Sequence, residues 1–240
     1  MAHPYTTRTD TRSKLGLIAL QADCTIEDDF RRLLPQDVSL LVSRVPSGLD
    51  VTPDTLAGME GALTGAAALF PAGHRFDVVG YGCTSGTAQI GAEVIAEKVR
   101  AGTGAREVSQ PVSALIAACA ALNLHRMAIL SPYVASVSQQ LRDVLRDAGI
   151  ATPDFASFDE ANEAAVTLID DRSIISAAQD VMTGADVDGL FLSCTNLRTL
   201  DVIAPLQDQF GVPVLSSNPV LAWHMLRLAG RDVATPRDLL

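Results

Sequence analysis

The sequence is short of aromatic side chains, positive charge and long apolar runs. Phe, Trp and Tyr make up only 5% of the 240 residues, although apolar residues make up 48%. Few aromatic side chains offer little surface for stacking nucleic-acid bases. The formal net charge of −10 argues against nucleic acid or an anionic membrane as a partner. The negative net charge does not exclude a small anionic substrate, because backbone N–H groups at helix N-termini can bind it.

No apolar stretch approaches the roughly 18 to 20 residues of a membrane-spanning helix. The polar residues 1–13 also lack the apolar core of a signal peptide. We therefore expect a cytoplasmic protein whose four cysteines stay reduced and available for chemistry.

Several familiar motifs are missing as well. The sequence has no P-loop, no zinc-spaced Cys/His set and no G-x-S-x-G turn. The glycines of segment 80–86 do not fit the dinucleotide fingerprint G-x-G-x-x-G, because the third glycine comes one residue late. Neither a nucleotide cofactor nor a metal is therefore expected.

What the sequence does contain is a repeated strand end. Segments 76–85 and 187–196 are each an apolar run that ends in Cys-Thr and a polar residue, and Cys194 follows Cys83 by 111 residues (194 − 83). The apolar run around Gly16 returns around Ala128, 112 residues later (128 − 16), and the Pro-Val pair that starts at Pro111 returns 108 residues later (219 − 111). Three landmarks in the same order indicate an internal duplication.

Short apolar runs alternate with helical patterns along the chain. The predicted strands of the first half are 15–20, 38–45, 77–82 and 107–110, and the predicted helices are 25–34, 52–69 and 86–101. Strands that alternate with helices predict a mainly parallel α/β sheet.

The duplication predicts two α/β lobes related by a pseudo-twofold axis, each a small, mainly parallel sheet flanked by helices. Residues 1–13 would form a flexible tail. Residues 14–112 would form the N-terminal lobe and residues 113–218 the C-terminal lobe, and a last helix, 219–230, would return to close the N-terminal lobe.

Ligands of open parallel sheets bind beyond the carboxyl ends of the strands, so Cys83 and Cys194 are expected to face one interlobe cleft. Each thiol is predicted at a helix N-terminus, where N–H groups lower the pKa of a cysteine. Free cysteines are also common in protein cores, but the recurrence favours a function. The polar neighbours expected to bind a substrate carboxylate, or the enediolate formed from it, are Thr84, Ser85, Thr195 and Asn196.

Three further residues are candidates for substrate binding. Tyr133 is either a cleft hydroxyl donor or a surface-loop tyrosine, and Asn218 is either a cleft donor or a turn former. Asp23, in the loop after the first strand, is either a cleft residue or a solvated turn or N-cap residue. Of the other cysteines, Cys119 is predicted in the core, and Cys24 lies where it could approach the cleft.

These motifs resemble the aspartate/glutamate racemase superfamily, in particular its branch of maleate isomerases, arylmalonate decarboxylases and ectoine-utilisation (EutA) proteins. The resemblance covers about residues 14–230, and its most specific stretches are 81–85, 131–133, 192–200 and 213–218. It implies a cofactor-independent isomerase that is a homo-oligomer, a dimer or a tetramer. It also implies that Cys83 is a thiolate base or nucleophile and that Cys194 is the opposing acid or base.

One departure from the family pattern concerns the substrate. Maleate isomerases of this branch carry Pro-Ser-Ser-Asn after the first strand, where this sequence has Leu-Gln-Ala-Asp ending in Asp23. An aspartate repels a carboxylate and attracts an ammonium group. The segment 20–27 looks most like the EutA proteins, which implies an amino acid or an ectoine-derived diaminobutyrate derivative as substrate.

We therefore expect a racemase or epimerase that moves a proton between thiols. The alternative is maleate cis–trans isomerisation through a covalent adduct on Cys83. A decarboxylase is less favoured, since the resemblance implies that decarboxylases keep only the cysteine that matches Cys194. A binding protein without turnover is a further alternative.

Overall fold

Two parallel sheets form the framework of the protein, for which the computed structural model describes residues 1–239. The strands are β1 (Ser13–Leu20), β2 (Val38–Val45), β3 (Val78–Gly82), β4 (Glu107–Ser109), β5 (Met127–Tyr133), β6 (Phe155–Glu160), β7 (Gly189–Leu192) and β8 (Val214–Ser216). The first sheet has the order β2-β1-β3-β4 and the second the order β6-β5-β7-β8. All neighbouring strands are parallel.

Helices follow the strands in alternation. They are α1 (Ile26–Leu33), α2 (Pro53–Gly58), α3 (Glu60–Ala68), α4 (Thr84–Ile90), α5 (Ala92–Thr103), α6 (Pro111–Leu122), α7 (Ala135–Asp147), α8 (Glu163–Val166), α9 (Asp171–Met182), α10 (Leu200–Phe210) and α11 (Ser217–Leu228), with a 3₁₀ turn at Pro236–Leu239. Among the described residues, no helix is both long and apolar enough to cross a membrane.

The two sheets repeat one topology. β5, β6, β7 and β8 occupy the positions in the second sheet that β1, β2, β3 and β4 occupy in the first. The predicted fold class, a duplicated α/β architecture with helices around two parallel sheets, is confirmed. The exact lobe boundaries stay a prediction.

The central strands are apolar because helices cover both faces of each sheet. Every residue from Leu15 to Leu20 is buried, as is every residue of β5. Such continuous apolar runs are typical of parallel strands.

Helix α11 connects the cores of the two lobes. Its Trp223 packs in a cluster with Phe191 and Leu215 of the second sheet. Its Met225 packs with Leu17 of the first sheet. The last helix therefore packs against both sheets, and its role in closing the N-terminal lobe stays a prediction.

Two predicted helices are each divided in the structure. The helix predicted at 52–69 breaks at Met59, directly after Gly58, where a tight turn joins α2 to α3. The helix predicted at 86–101 begins earlier, at Thr84, and breaks at Gly91, whose φ of 96° lies in a region that favours glycine. A periodicity argument does not detect these breaks, because the apolar face continues across them.

Candidate active site between the two cysteine loops

The two Cys-Thr loops lie at equivalent strand ends and contact each other directly. Cys83 follows β3, and Cys194 follows β7 after one residue. The Thr195 hydroxyl donates to the carbonyl oxygen of Gly82 at 3.2 Å. Ser217 Oγ accepts the N–H of Cys194 at 3.0 Å and lies 2.8 Å from the Thr84 hydroxyl. These hydrogen bonds bring the ends of both sheets to one place.

A small cavity lies where the loops meet. Its polar wall consists of Cys83, Thr84, Ser85, Tyr133, Glu163, Cys194 and Thr195. Its apolar wall consists of Leu20, Val51 and Leu56. No lysine or arginine lies among these residues, so the charge in the lining comes from carboxyl and thiol groups.

Cys83 is the N-cap of α4, as predicted. Its backbone is extended, and its sulfur accepts the N–H of Gly86 at 3.1 Å. The following side chains are small, and Gly86 allows the closest approach, since a Cβ there would lie 2.9 Å from Cys83 Sγ and 2.6 Å from the Tyr81 hydroxyl.

Cys194 does not begin a helix, which corrects the prediction for this thiol. The chain from Ser193 to Thr199 is a loop, and α10 starts only at Leu200. Cys194 has a φ of 101°, a strained conformation for a residue with a side chain. Its sulfur accepts the N–H of Asn196, two residues on, at 3.2 Å. Hydrogen bonds of the Asn196 side chain with Glu163 and with the N–H of Cys24, both outside the loop, hold this tight turn in place.

The predicted lowering of both thiol pKa values is also wrong for this structure. Burial raises the pKa of Cys83 to about 12, against the lowering effect of the Gly86 N–H. Burial raises the pKa of Cys194 well above its usual value, and the negative charge of Glu163 raises it further. Removal from water outweighs a few N–H donors when the thiol is buried.

Glu163 is the functional candidate that sequence reasoning missed. It is the first residue of α8, is only 4% exposed, and accepts the Tyr133 hydroxyl on Oε1 and the Asn196 side-chain amide on Oε2, both at 2.9 Å. Burial raises its pKa. In the sequence it is one acidic residue in a polar stretch. The only signal for Glu163 was the duplication. It predicts a second-lobe counterpart of β2, whose carboxyl end would bring the residues that follow it to this edge of the sheet.

Two loops pair above the cavity and bring Glu163 to it. The N–H of Val51 donates to the carbonyl of Ala161 at 2.8 Å, and the N–H of Glu163 donates to the carbonyl of Leu49 at 3.0 Å. The loop after β2 and the loop after β6 therefore form a short antiparallel bridge between the lobes.

Asp23 is buried beside the site rather than solvated. It is 2% exposed, and its Oδ1 accepts the backbone N–H groups of Thr25 and Ile26 at 2.8 and 2.9 Å. Its Oδ2 has no hydrogen-bond partner within residues 1–239. Burial raises the pKa of Asp23, and its negative charge raises the pKa of Glu163 and of both thiols. The carboxyl group is therefore near the reacting groups.

The side chains of Asn218 and Asn196 stabilise the loops around the site through hydrogen bonds. The Asn218 amide donates to Asp29 Oδ2 at 2.7 Å and to the carbonyl of Thr195 at 2.8 Å. The Asn196 amide donates to Glu163, and its Oδ1 accepts the N–H of Cys24 at 2.9 Å. Neither asparagine lines the cavity.

The remaining cysteines fall outside the cavity. Cys24 is exposed, although its backbone helps to hold the Asn196 side chain, and Cys119 is buried in α6. Of the predicted site residues, the cavity therefore collects Cys83, Thr84, Ser85, Tyr133, Cys194 and Thr195.

Comparisons with known proteins agree with this architecture. Residues 65–238 match the model of the arylmalonate decarboxylase family. A maleate isomerase of Nocardia farcinica is 24% identical over 93% of this chain and 92% of its own length. An arylmalonate decarboxylase of Bordetella bronchiseptica is 32% identical over 46% of each chain. The solved structure of a Nocardia farcinica maleate cis-trans isomerase mutant with a covalently bound succinylcysteine intermediate has a TM-score of 0.81 at 24% identity and covers 95% of this chain and 98% of that one.

Proposed function

Since this chain belongs to the arylmalonate decarboxylase family, we propose that it is an isomerase that acts on a small carboxylic acid between Cys83 and Cys194 without a cofactor. The observation that carries the proposal is that both thiols line one cavity and come from equivalent strands of two sheets. A substrate held between two thiols can gain a proton or a bond on one side and lose it on the other.

The reaction best supported is cis–trans isomerisation of a maleate-like dicarboxylate. The Cys83 thiolate forms a bond to one alkene carbon, and the π electron pair moves toward the neighbouring carboxylate as an enediolate. The Cys194 thiol then donates its proton to the other alkene carbon, which leaves a carbon–carbon single bond that is free to rotate. Removal of the proton by the Cys194 thiolate and breakage of the C–S bond yield the trans isomer and restore both groups.

The maleate isomerase relatives support this reaction over others. Two buried acids beside the thiols need not exclude a dicarboxylate. Glu163 already accepts hydrogen bonds on both oxygens, from Tyr133 and from Asn196. Burial raises the pKa of Asp23, and its neutral carboxyl group can donate a hydrogen bond to a substrate carboxylate through Oδ2, which has no partner within residues 1–239.

A second candidate is racemisation or epimerisation of an amino-acid derivative, which the same two acids favour when they are ionised. Asp23 and Glu163 then give the site negative charge, and no lysine or arginine among the described residues lines the cavity to balance it. A substrate ammonium group would do so. An ectoine-derived diaminobutyrate derivative carries such a group, and the likeness to EutA proteins stays a prediction.

Proton NMR in D2O distinguishes these reactions. The full-length protein is incubated with maleate and, separately, with a panel of L-amino acids that includes L-diaminobutyrate. Conversion of maleate to fumarate supports the first reaction. Exchange of an α-proton with loss of optical rotation supports the second. Binding of these compounds without either reaction would overturn the isomerase proposal and favour a binding protein.

Charge-removing variants then test the substrate class at the same site. Asp23→Asn should leave the binding of a dicarboxylate nearly unchanged, because the asparagine amide can donate the hydrogen bond that the neutral carboxyl group of Asp23 would donate. It should weaken the binding of an ammonium-bearing substrate, because it removes the negative charge that would balance the ammonium group. An exposed carboxylate outside the site, Asp159, provides the matched control as Asp159→Asn, which should change neither affinity.

A further inference from the structure

Cys194, Tyr133 and Glu163 form a buried chain of hydrogen bonds. The Tyr133 oxygen lies 2.9 Å from Cys194 Sγ and 2.9 Å from Glu163 Oε1. All three side chains are at most 4% exposed. Water is therefore kept from both contacts, and a proton that moves between the sulfur and the carboxylate has a direct path through the phenol.

The directions of these bonds follow from the single hydrogen on the phenol. An ionised Glu163 can only accept, so Tyr133 donates its hydrogen to Oε1. The phenol oxygen then has only lone pairs to offer toward the sulfur. Cys194 must therefore be the donor in its contact with Tyr133, with its S–H directed at the phenol oxygen.

We propose that Glu163 takes the proton of Cys194 through the Tyr133 hydroxyl and thereby makes the Cys194 thiolate. This inference rests on the proposed function, in which Cys194 must both donate and remove a proton. The S–H bond breaks as its proton passes to the phenol oxygen, while the phenol proton passes to Glu163 Oε1. The products are a Cys194 thiolate and a neutral Glu163, and the reverse transfer restores the thiol. Glu163 is a positioning residue in this scheme, since it acts on the thiol through Tyr133.

Electrostatics favours this route over loss of the proton to water. Creating a second charge in a buried site carries a large desolvation cost. The transfer instead moves one existing negative charge from the carboxylate to the sulfur, so the net charge of the site does not change. The thiolate then accepts hydrogen bonds from the phenol O–H and from the Asn196 N–H, which already lies 3.2 Å from the sulfur.

The groups that face the chain from other elements do not offer a competing route. Asp23, in the loop after β1, and Cys83, at the start of α4, are the other titratable groups whose charges affect Cys194, Tyr133 or Glu163. Asp23 directs Oδ1 to two backbone N–H groups. Cys83 has its own N–H donor on α4. Neither has a hydrogen bond to Cys194.

Thiol alkylation as a function of pH tests the proposal without any substrate. In a background of Cys24→Ala, Cys83→Ala and Cys119→Ala, Cys194 is the single thiol of the full chain. Its rate of reaction with iodoacetamide is followed by mass spectrometry. The relay predicts a rate that is nearly independent of pH around neutrality, because Cys194 and Glu163 share one proton in a fixed ratio.

Glu163→Gln in that background should abolish the plateau. The rate should then rise about tenfold per pH unit, as for an isolated thiol far below its pKa, and should be on the order of 100-fold lower at neutral pH. Tyr133→Phe should give the same pH profile, because it removes the bridge and keeps the carboxylate. Asp159→Asn is the matched control and should keep the plateau.

The outcomes are separable from folding and from substrate identity. Circular dichroism and thermal unfolding establish that each variant is folded, and Tyr133→Phe provides an independent variant if Glu163→Gln does not fold. A tenfold rise per pH unit in the parent background itself, or a plateau that survives both substitutions, would overturn the relay. Neither result would bear on whether the enzyme isomerises maleate or an amino acid.

Discussion

Cys83 and Cys194 follow equivalent strands of two sheets with the same strand order, but their surroundings differ. Cys83 caps α4, and its sulfur accepts an N–H from that helix. Cys194 lies in a strained loop, and its sulfur contacts a tyrosine from β5 and a backbone N–H two residues on. The two thiols have equivalent positions because the fold is duplicated, but the residues that follow each thiol give its sulfur different hydrogen-bond partners.

The difference has a structural cause in the two loops. After Cys83 come small residues and Gly86, whose lack of a side chain lets its N–H reach the sulfur. After Cys194 come Asn196 and the fully buried Leu197, which tie the loop to the rest of the protein. One loop is therefore held by its own helix and the other by distant side chains. The first three of the following predictions test this contrast.

The largest effect is expected from removing either sulfur. Cys83→Ala and Cys194→Ala should each reduce turnover by at least about 10³-fold, because Cys83 forms the bond to the substrate and Cys194 transfers the proton. For a covalent route, the two variants should differ in one respect. Cys194→Ala keeps the Cys83 nucleophile and can accumulate an adduct with maleate, whereas Cys83→Ala forms none. Intact-protein mass spectrometry measures the adduct, and equal adduct yields in both variants would contradict the assigned roles.

Gly86→Ala should reduce turnover by about 100-fold, since a shift of the nucleophile by even 1 Å can cost this much. The added Cβ would lie 2.6 Å from the Tyr81 hydroxyl and 2.9 Å from Cys83 Sγ, so the sulfur must move. Alkylation should show altered reactivity at Cys83 and unchanged reactivity at Cys194. Gly65→Ala is the control, because within residues 1–239 no atom beyond its own helix backbone and its chain neighbours lies within 4 Å of its Cβ position. Equal changes at both thiols would argue against separate activation.

Asn218→Ala should perturb the Cys194 loop and spare the Cys83 loop. The substitution leaves the Thr195 carbonyl and Asp29 without their shared donor, which should cost about 1–3 kcal/mol in the free energy of unfolding. Urea unfolding measures the cost. Alkylation should report a change at Cys194 that exceeds any change at Cys83, and the reverse pattern would refute this role of Asn218.

Asp29 should make unfolding depend on pH in a direction that follows from its burial. Burial raises its pKa to about 6 from the ordinary 3.8. The folded state therefore holds this proton more tightly than the unfolded state, so this group lowers stability as pH rises from about 4 to 6. The cost above pH 6 is about 3 kcal/mol, from a difference of 2.2 pKa units (6 − 3.8) at 1.36 kcal/mol each. Asp29→Asn should weaken this slope in urea unfolding, and an unchanged slope would contradict the assignment.

The smallest effect is expected from the exposed ion pair between α1 and α10. Arg32 Nη2 lies 2.5 Å from Asp201 Oδ1, but both side chains are more than half exposed. A double-mutant cycle with Arg32→Ala and Asp201→Ala should give a coupling below about 1 kcal/mol. A larger coupling would mean that surface charge, rather than the buried loop contacts, holds the lobes together.

The sequence predicted the fold well because its strands are short apolar runs at regular intervals. The bounds of β2 agree with the predicted 38–45 to the residue. The duplication also indicated where the cysteines would lie, since equivalent strands end at the same edge of each sheet. The helix breaks at Met59 and Gly91 were missed because they leave the apolar pattern unchanged.

Local chemistry was harder to predict than architecture. The sequence pattern after Cys194 was read as a helix start, but the polar side chains of this loop bond to other parts of the chain instead. Burial of the thiols, and of Asp23, depends on how the two lobes close around them. Glu163 reaches the site only through the bridge between two loops, and no sequence pattern encodes that contact.

Competitive labelling tests most directly that the two thiols face one cavity. In a Cys24→Ala and Cys119→Ala background, only Cys83 and Cys194 remain of the four cysteines, and iodoacetate labels them under native conditions. A cavity this small, lined by both thiols, should accept one carboxymethyl group. We predict singly labelled chains, with the label on Cys83 in some and on Cys194 in others. Folded chains that carry both labels, formed at independent rates, would contradict the two-thiol site.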